Sequence, residues 1–224
     1  MKILVFDTCF NKSYIVLRED NTILSSKIIN STEDNYHSAY VIPEIRNILK
    51  DNNIQIKDLE AIGINIGPGS FTGIRAGITI ARVLAQQTNL KLIGIESLMI
   101  LSKLNKTEKK SLIVTDARKN KVYTALYDKQ NTLIKPKLED KENIIKYIDN
   151  NTYIISDKTI NKYLNELNIE STIYEENDEN FGLYLSEITY NKIKENKEDF
   201  NWAKVKPLYI QQPSITKPKE IKNV

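Results

Sequence analysis

The chain has 224 residues, 41% of them hydrophobic, and 32 basic against 29 acidic side chains leave a formal charge of only +3. That composition suits a packed core and excludes a disordered chain, while the length suits one large domain or two small ones. Charges are interleaved, as in residues 106–110 and 192–199, so the basic stripe of a dedicated nucleic-acid binder is missing despite a pI near 8.7.

A single cysteine, Cys9, permits no intrachain disulfide. The opening residues meet Asp7 too early for a signal-peptide core, and no apolar run is long enough to span a bilayer. The expected location is therefore the cytoplasm, without membrane contact.

Residues 3–6 form a continuous apolar run, the pattern of a strand covered on both faces. Residues 13–17 and 22–29 follow as strands, joined by a turn at Asp20 and Asn21 that predicts an antiparallel hairpin. Ser31 or Thr32 is placed to cap a first helix, with Glu33 and Asp34 favourable in its first turn. Val41, Ile45, Ile48 and Leu49 give that helix one apolar stripe, and Pro43 is expected to interrupt and bend it. A strand over 61–66, a helix over 72–87, a strand over 92–95 and a helix over 97–104 complete the first half.

The charged stretch 103–110 marks the expected boundary between a first domain, 1–104, and a second, 110–213, followed by a polar tail, 214–224. The second half repeats the first. A strand over 111–115 ends at Asp116 as 3–6 ends at Asp7. Residues 122–127 match 13–17, and the turn 128–131 matches Asp20 and Asn21. A short helix over 144–148, a strand over 153–155 and a long helix over 181–194 follow. The pattern predicts an α/β protein of two tandem ribonuclease-H-like domains, the plan of actin, Hsp70 and the sugar kinases, each a mixed sheet flanked by helices.

Five of the seven glycines lie between Gly63 and Gly77, at one strand-to-helix junction. Gly67 and Gly69 flank Pro68 in a tight turn, and Ser70 or Thr72 can cap the second helix. A helix start of this kind can hold phosphate, but the run lacks both the ending of a Walker loop and the spacing of a dinucleotide fingerprint. Packing is the favoured reading: Gly73 and Gly77, one turn apart, admit a close neighbour. Ile74, Ile78, Ala81 and Ala85 form one stripe, and Ala76, Ile80, Val83 and Leu84 cover much of the rest. More apolar surface is present than one small sheet covers. The expected partner interface is therefore Gly73, Ile74, Gly77 and Ile78, with Tyr36 and Tyr40 from the first helix.

Residues 67–77, Gly-Pro-Gly-Ser-Phe-Thr-Gly-Ile-Arg-Ala-Gly, closely resemble the glycine-rich motif of the TsaB (YeaZ) family. Residues 3–8 resemble its opening strand, 37–43 its first helix, 116–123 the start of its second domain and 207–210 its C-terminal motif. Gln211 departs from the pattern, where the family often has Arg. The resemblance covers most of the chain. It implies a non-catalytic partner of TsaD in the complex that forms N6-threonylcarbamoyladenosine beside the anticodon of tRNAs reading codons that begin with adenine. It further implies contact with TsaE through the complex, indirect contact with tRNA, and a homodimer when TsaD is absent.

TsaD itself resembles this chain in plan, and its motifs imply a metal held by two histidines four apart. The matching segment here carries Ser97 and Leu101, and His37 is the only histidine, so a two-histidine site is impossible. Only Gly182 follows Gly94, so the second domain lacks the small residues that bring backbone close to a nucleotide. Asp7 and Asp116 stand where related ATPases hold Mg²⁺ through water, and both read here as structural. No HExxH motif, catalytic triad or supported cysteine nucleophile is present, which argues against a peptidase. The expectation is no catalytic residue, no metal and no cofactor on this chain alone, with ATP or ADP left open at a composite interface. Two alternatives stand beside it: a self-sufficient ATP-dependent phosphotransferase or ATPase of the actin-like group, and a nucleic-acid-binding module.

Overall fold

The computed structural model describes residues 1–30, 37–175, 178–196 and 199–211. Strands β1 (Lys2–Asp7), β2 (Ser13–Glu19), β3 (Thr22–Ile29), β4 (Ala61–Gly67) and β5 (Lys91–Glu96) form one sheet, in the order β3-β2-β1-β4-β5. Strands β6 (Lys110–Asp116), β7 (Lys121–Asp128), β8 (Asn131–Asp140), β9 (Thr152–Ser156) and β10 (Thr172–Ile173) form the other, in the order β10-β9-β6-β7-β8. The two are topological copies. Central β1 runs antiparallel to β2 and parallel to β4, and central β6 runs antiparallel to β7 and parallel to β9. The tandem ribonuclease-H-like plan is therefore present.

Helices α1 (Val41–Asp51), α2 (Phe71–Thr88), α3 (Ser97–Ser102), α4 (Lys158–Glu166) and α5 (Phe181–Glu195) fill the layers around and between the sheets. Side-chain alternation along the central strands sorts the cores. Leu4 and Phe6 point outward, into a core shared with α1 and α2. Ile3 and Val5 point inward, and meet Ile113 of β6 in a middle core filled by α3 and α5. Leu112 and Val114 face the far side, against Ile160 and Leu164 of α4. Both central strands are buried on both faces, hence their uninterrupted apolar sequence.

The domain division differs from the expected 110–213. Helix α5 packs on β1, β2 and β4 of the first sheet, while α3 reaches β6 and β7 of the second. Gly182 sits against Tyr14 and Val16, and Gly63 leaves room for Thr189, so α5 fits the first sheet closely. The chain then returns along the open edge of that sheet. Leu92 N of β5 donates to Phe200 O at 3.0 Å, which covers part of that edge, and Leu208 N donates to Ile66 O near the end of β4 at 2.9 Å. By packing, the described residues of 1–104, helix α5 and the returning segment 199–211 form the first lobe, and 110–175 the second.

Local departures have simple causes. Helix α1 starts at Val41, so Pro43 falls in its first turn, where its missing N–H has no helical partner to lose. The cap expected at Ser31 or Thr32, with Glu33 and Asp34, lies outside the described residues. The helix expected over 144–148 belongs to a 3-10 turn, Lys141–Tyr147.

Candidate functional site in the cleft between the sheets

The glycine-rich turn links β4 to α2 through Gly67, at φ +103°, and a cis bond to Pro68. Ser70 is the helix cap: its Oγ accepts from Gly73 N at 3.2 Å, while its own N–H donates to Cys9 O at 2.9 Å. Thr72 is exposed at the second helical position. The clustered glycines admit the chain's own backbone. A Cβ at Gly69 would stand 2.7 Å from Cys9 O, one at Gly73 would land on Thr8 O, and one at Gly77 on Thr8 Oγ1. Thr8 Oγ1 also donates to Gly73 O at 2.6 Å, binding the turn after β1 to the helix.

This corrects the expected interface. Gly73, Ile74, Gly77 and Ile78 are all buried, the two isoleucines at 3% exposure, against the chain's own sheet and the turn after β1. Their flank of α2 is already covered by the chain itself. The outward flank carries Thr72, Arg75, Thr79 and Val83 instead. Tyr40 is half-buried at the rim of the outer core, and Tyr36 lies outside the described residues.

Between the sheets lies a cleft of about 520 Å³, lined among others by Cys9, Ser70, Ser97, Leu101, Asp116 and Asp157. Its floor is a closed polar network. Asp7 is fully buried; one carboxylate oxygen accepts from Cys9 N at 2.5 Å and the other from Asn65 Nδ2 at 3.0 Å. Asn65 Oδ1 accepts from Gly67 N at 2.9 Å and from Ser97 Oγ at 2.8 Å. Burial pushes the Asp7 carboxyl up to about 6, against the opposing pull of the Asn65 and Cys9 hydrogen bonds. Burial also pushes the Cys9 thiol up, and its Sγ donates to Asn65 O at 3.2 Å, so this cysteine is no ready nucleophile.

Asp116 is exposed at the cleft mouth. Its carboxylate accepts from Arg118 N at 3.1 Å, and its own N–H donates to Asp157. The other Asp157 oxygen caps α4 through Ile160 N at 2.9 Å, so this one residue ties the end of β6 to the start of α4. Sequence reasoning missed it. The available signal was an Asp preceding Ile160 and Leu164, four apart at helical spacing.

The arrangement does not fit a magnesium nucleotide between Asp7 and Asp116. Both Asp7 oxygens are engaged inside the fold, and the turn after β1 carries Phe10, packed at a tilt on Phe181 with ring centroids 4.7 Å apart, where a phosphate loop needs glycine. Among the described residues no group of three His, Cys, Asp or Glu is placed to hold a metal. Ser97 and Leu101 both line the cleft, one turn apart on α3.

A model of the family described as TsaD, tRNA N6-adenosine threonylcarbamoyltransferase, matches residues 22–174. The protein named TsaB of Bacillus subtilis is 34% identical over 144 residues, 63% of this chain and 61% of its own length. That of Escherichia coli is 32% identical over 132 residues, 58% of this chain and 56% of its own. The chain belongs to the TsaB (YeaZ) family. Its match spans less than two thirds of either family member's own length. The fold agrees throughout: YeaZ of Pseudomonas aeruginosa superposes with a TM-score of 0.73 over 93% of this chain and 100% of that one, at 16% identity. Both curated relatives carry names placing them in tRNA threonylcarbamoyladenosine biosynthesis. Among the described residues no helix is long and apolar enough to cross a membrane.

Proposed function

We propose that this chain is a non-catalytic partner of a TsaD-type enzyme, acting in the formation of N6-threonylcarbamoyladenosine in tRNAs that read codons beginning with adenine. One observation carries the non-catalytic half of this reading. On α3, where the resemblance to TsaD places a histidine pair, Ser97 and Leu101 line the cleft, and Ser97 spends its hydroxyl on Asn65. A serine already hydrogen-bonded to its neighbour and a leucine offer no metal ligands. The closed Asp7–Asn65 floor weighs against the alternative of an independent actin-like ATPase.

The partner surface in this reading is the exposed apolar strip where α1 begins and α2 passes. It comprises Ile42 at 60% exposure and Val83 at 52%, with the half-buried Tyr40 and Ile80. Apolar side chains left exposed on α1 and α2 suit an interaction surface. The same strip serves a second copy of the chain when the enzyme is absent, TsaE joins through the enzyme, and assembly takes place in the cytoplasm. Any nucleotide the assembly uses sits at its composite interface. Co-elution with the TsaD-type protein from the same source tests this: a shared peak on size exclusion is expected, and separate elution at micromolar concentrations contradicts it.

A further inference from the structure

The turn between β6 and β7 has a geometry that the cleft network does not use. Ala117 N donates to Lys121 O at 2.9 Å and Lys121 N to Arg118 O at 3.1 Å. Between them Arg118, Lys119 and Asn120 take φ values of 64°, 52° and 61°, a left-handed run that side-chain-bearing residues avoid. The run is pinned at both ends. Asp116 holds the Arg118 N–H, while Lys141 N donates to Asn120 O at 3.1 Å and Asn120 Nδ2 to Glu142 Oε1 at 2.7 Å. The result is a pinned backbone from which two cationic side chains line a second pocket of about 400 Å³, next to the cleft. Among the described residues neither the Arg118 nor the Lys119 side chain is paired with an acid; Asp116 shares the rim, with one oxygen on the Arg118 N–H.

The same pocket is lined by aromatic rings. Phe71 and Tyr209 are 39% and 43% exposed, with ring centroids 5.3 Å apart. Arg75 stacks on Phe71 at 3.8 Å and donates from Nε to Tyr209 OH at 2.8 Å, which holds the two rings as one surface. Tyr123 closes the back, its hydroxyl donating to Gln211 Oε1 at 3.2 Å. Exposed rings and cations without an acidic partner lining one small pocket suit an unpaired base with its neighbouring phosphates.

We propose that this pocket binds an unpaired nucleotide of an RNA strand, the base against Phe71 and Tyr209 and the backbone phosphates against Arg118 and Lys119. A free nucleoside polyphosphate is disfavoured, because the nearby start of α2 is closed onto residues 8 and 9 and its Gly73 N–H is taken by Ser70. The inference rests on the proposed role in tRNA modification for the identity of the RNA, and it adds a direct contact where only an indirect one was expected.

Fluorescence anisotropy with the full chain tests it, using an RNA hairpin with a single-stranded loop, a blunt duplex of the same stem, and AMP as competitor. The hairpin should bind at least about tenfold tighter than the duplex. Arg118→Ala and Lys119→Ala should each weaken hairpin binding by about threefold to tenfold and flatten its salt dependence by about one counterion. Phe71→Leu should weaken it by about tenfold. Lys135→Ala, an exposed cation on β8 away from the pocket, should leave it unchanged; circular dichroism confirms that each variant is folded. Equal binding of hairpin and duplex, an equal loss in Lys135→Ala, or no binding at about 1 mM protein overturns the proposal. Displacement of the hairpin by equimolar AMP also overturns it, assigning the pocket to a free nucleotide. The isolated chain is measured, so failure here leaves the partner reading standing. Failed co-elution with RNA binding intact removes only that reading.

Discussion

Asn65 donates from Nδ2 to the carboxylate of Asp7 at 3.0 Å, joining the ends of β4 and β1 beneath the cleft. The pair has a fixed polarity, because Asn65 Oδ1 already accepts from Gly67 N and Ser97 Oγ and the amide cannot flip without losing both. Asp7→Asn therefore sets donor against donor, and Asn65→Asp sets carboxylate against carboxylate. Each single change should cost about 2 kcal/mol in urea denaturation. The double exchange, Asp7→Asn with Asn65→Asp, restores every hydrogen bond and should recover more than half of that loss. Additive losses would contradict the assigned polarity.

Asp7 also sets a pH dependence of known sign. Its carboxyl lies at about 6 in the fold against 3.8 ordinarily, so between those values the folded chain keeps a proton that the unfolded chain has released. Its contribution to stability is full below pH 4 and falls as pH rises through 6, by about 3 kcal/mol. The stability difference between the natural chain and Asp7→Asn should change in that sense between pH 4 and 7. A difference that stays flat contradicts the burial-raised carboxyl.

Gly73→Ala places a methyl on the Thr8 carbonyl, a backbone atom that cannot step aside. Thermal melting should show a loss of about 3 kcal/mol or more. Thr72→Ala, one residue away and exposed, should stay within about 0.5 kcal/mol. Equal effects would mean that α2 does not press on the turn after β1.

Much of the fold is visible in the sequence because layered sheets leave plain marks. Residues 3–6 and 111–115 are uninterrupted apolar runs since both central strands are covered on two faces, and the repeat follows from them. The glycines between Gly63 and Gly77 announce a close approach, but not its neighbour, because Thr8 lies far away in sequence. That gap misplaced Gly73, Ile74, Gly77 and Ile78 at an interface. A helix apolar on most sides shows how much it buries and not which flank meets its own chain. Helix α4 has only Ile160 and Leu164 buried in nine residues, too little periodicity to stand out, and its cap Asp157 went unseen with it. The wall made by Phe71, Arg75 and Tyr209 joins residues more than a hundred positions apart, which no local pattern reveals.

The proposed partner surface can be separated from core by substitution. Ile42→Asp and Val83→Glu alter exposed side chains, and should lower association with the partner or a second copy at least about tenfold while shifting stability by less than about 1 kcal/mol. Ile78→Arg inserts a charge into the outer core, and should unfold the first lobe. Light scattering beside thermal melting distinguishes the two. Intact association in both surface variants would remove this strip as the interface.

The most direct measurement of the central claim is formation of the modified nucleoside in tRNA, assayed with the TsaD-type enzyme and its other components, with and without this chain, and with this chain replacing the enzyme. Modification should require the enzyme, rise at least about tenfold when this chain is added, and be absent when this chain stands alone in the enzyme's place. Modification by this chain without the enzyme, or an unchanged rate when it is left out, would contradict its assignment as a non-catalytic partner.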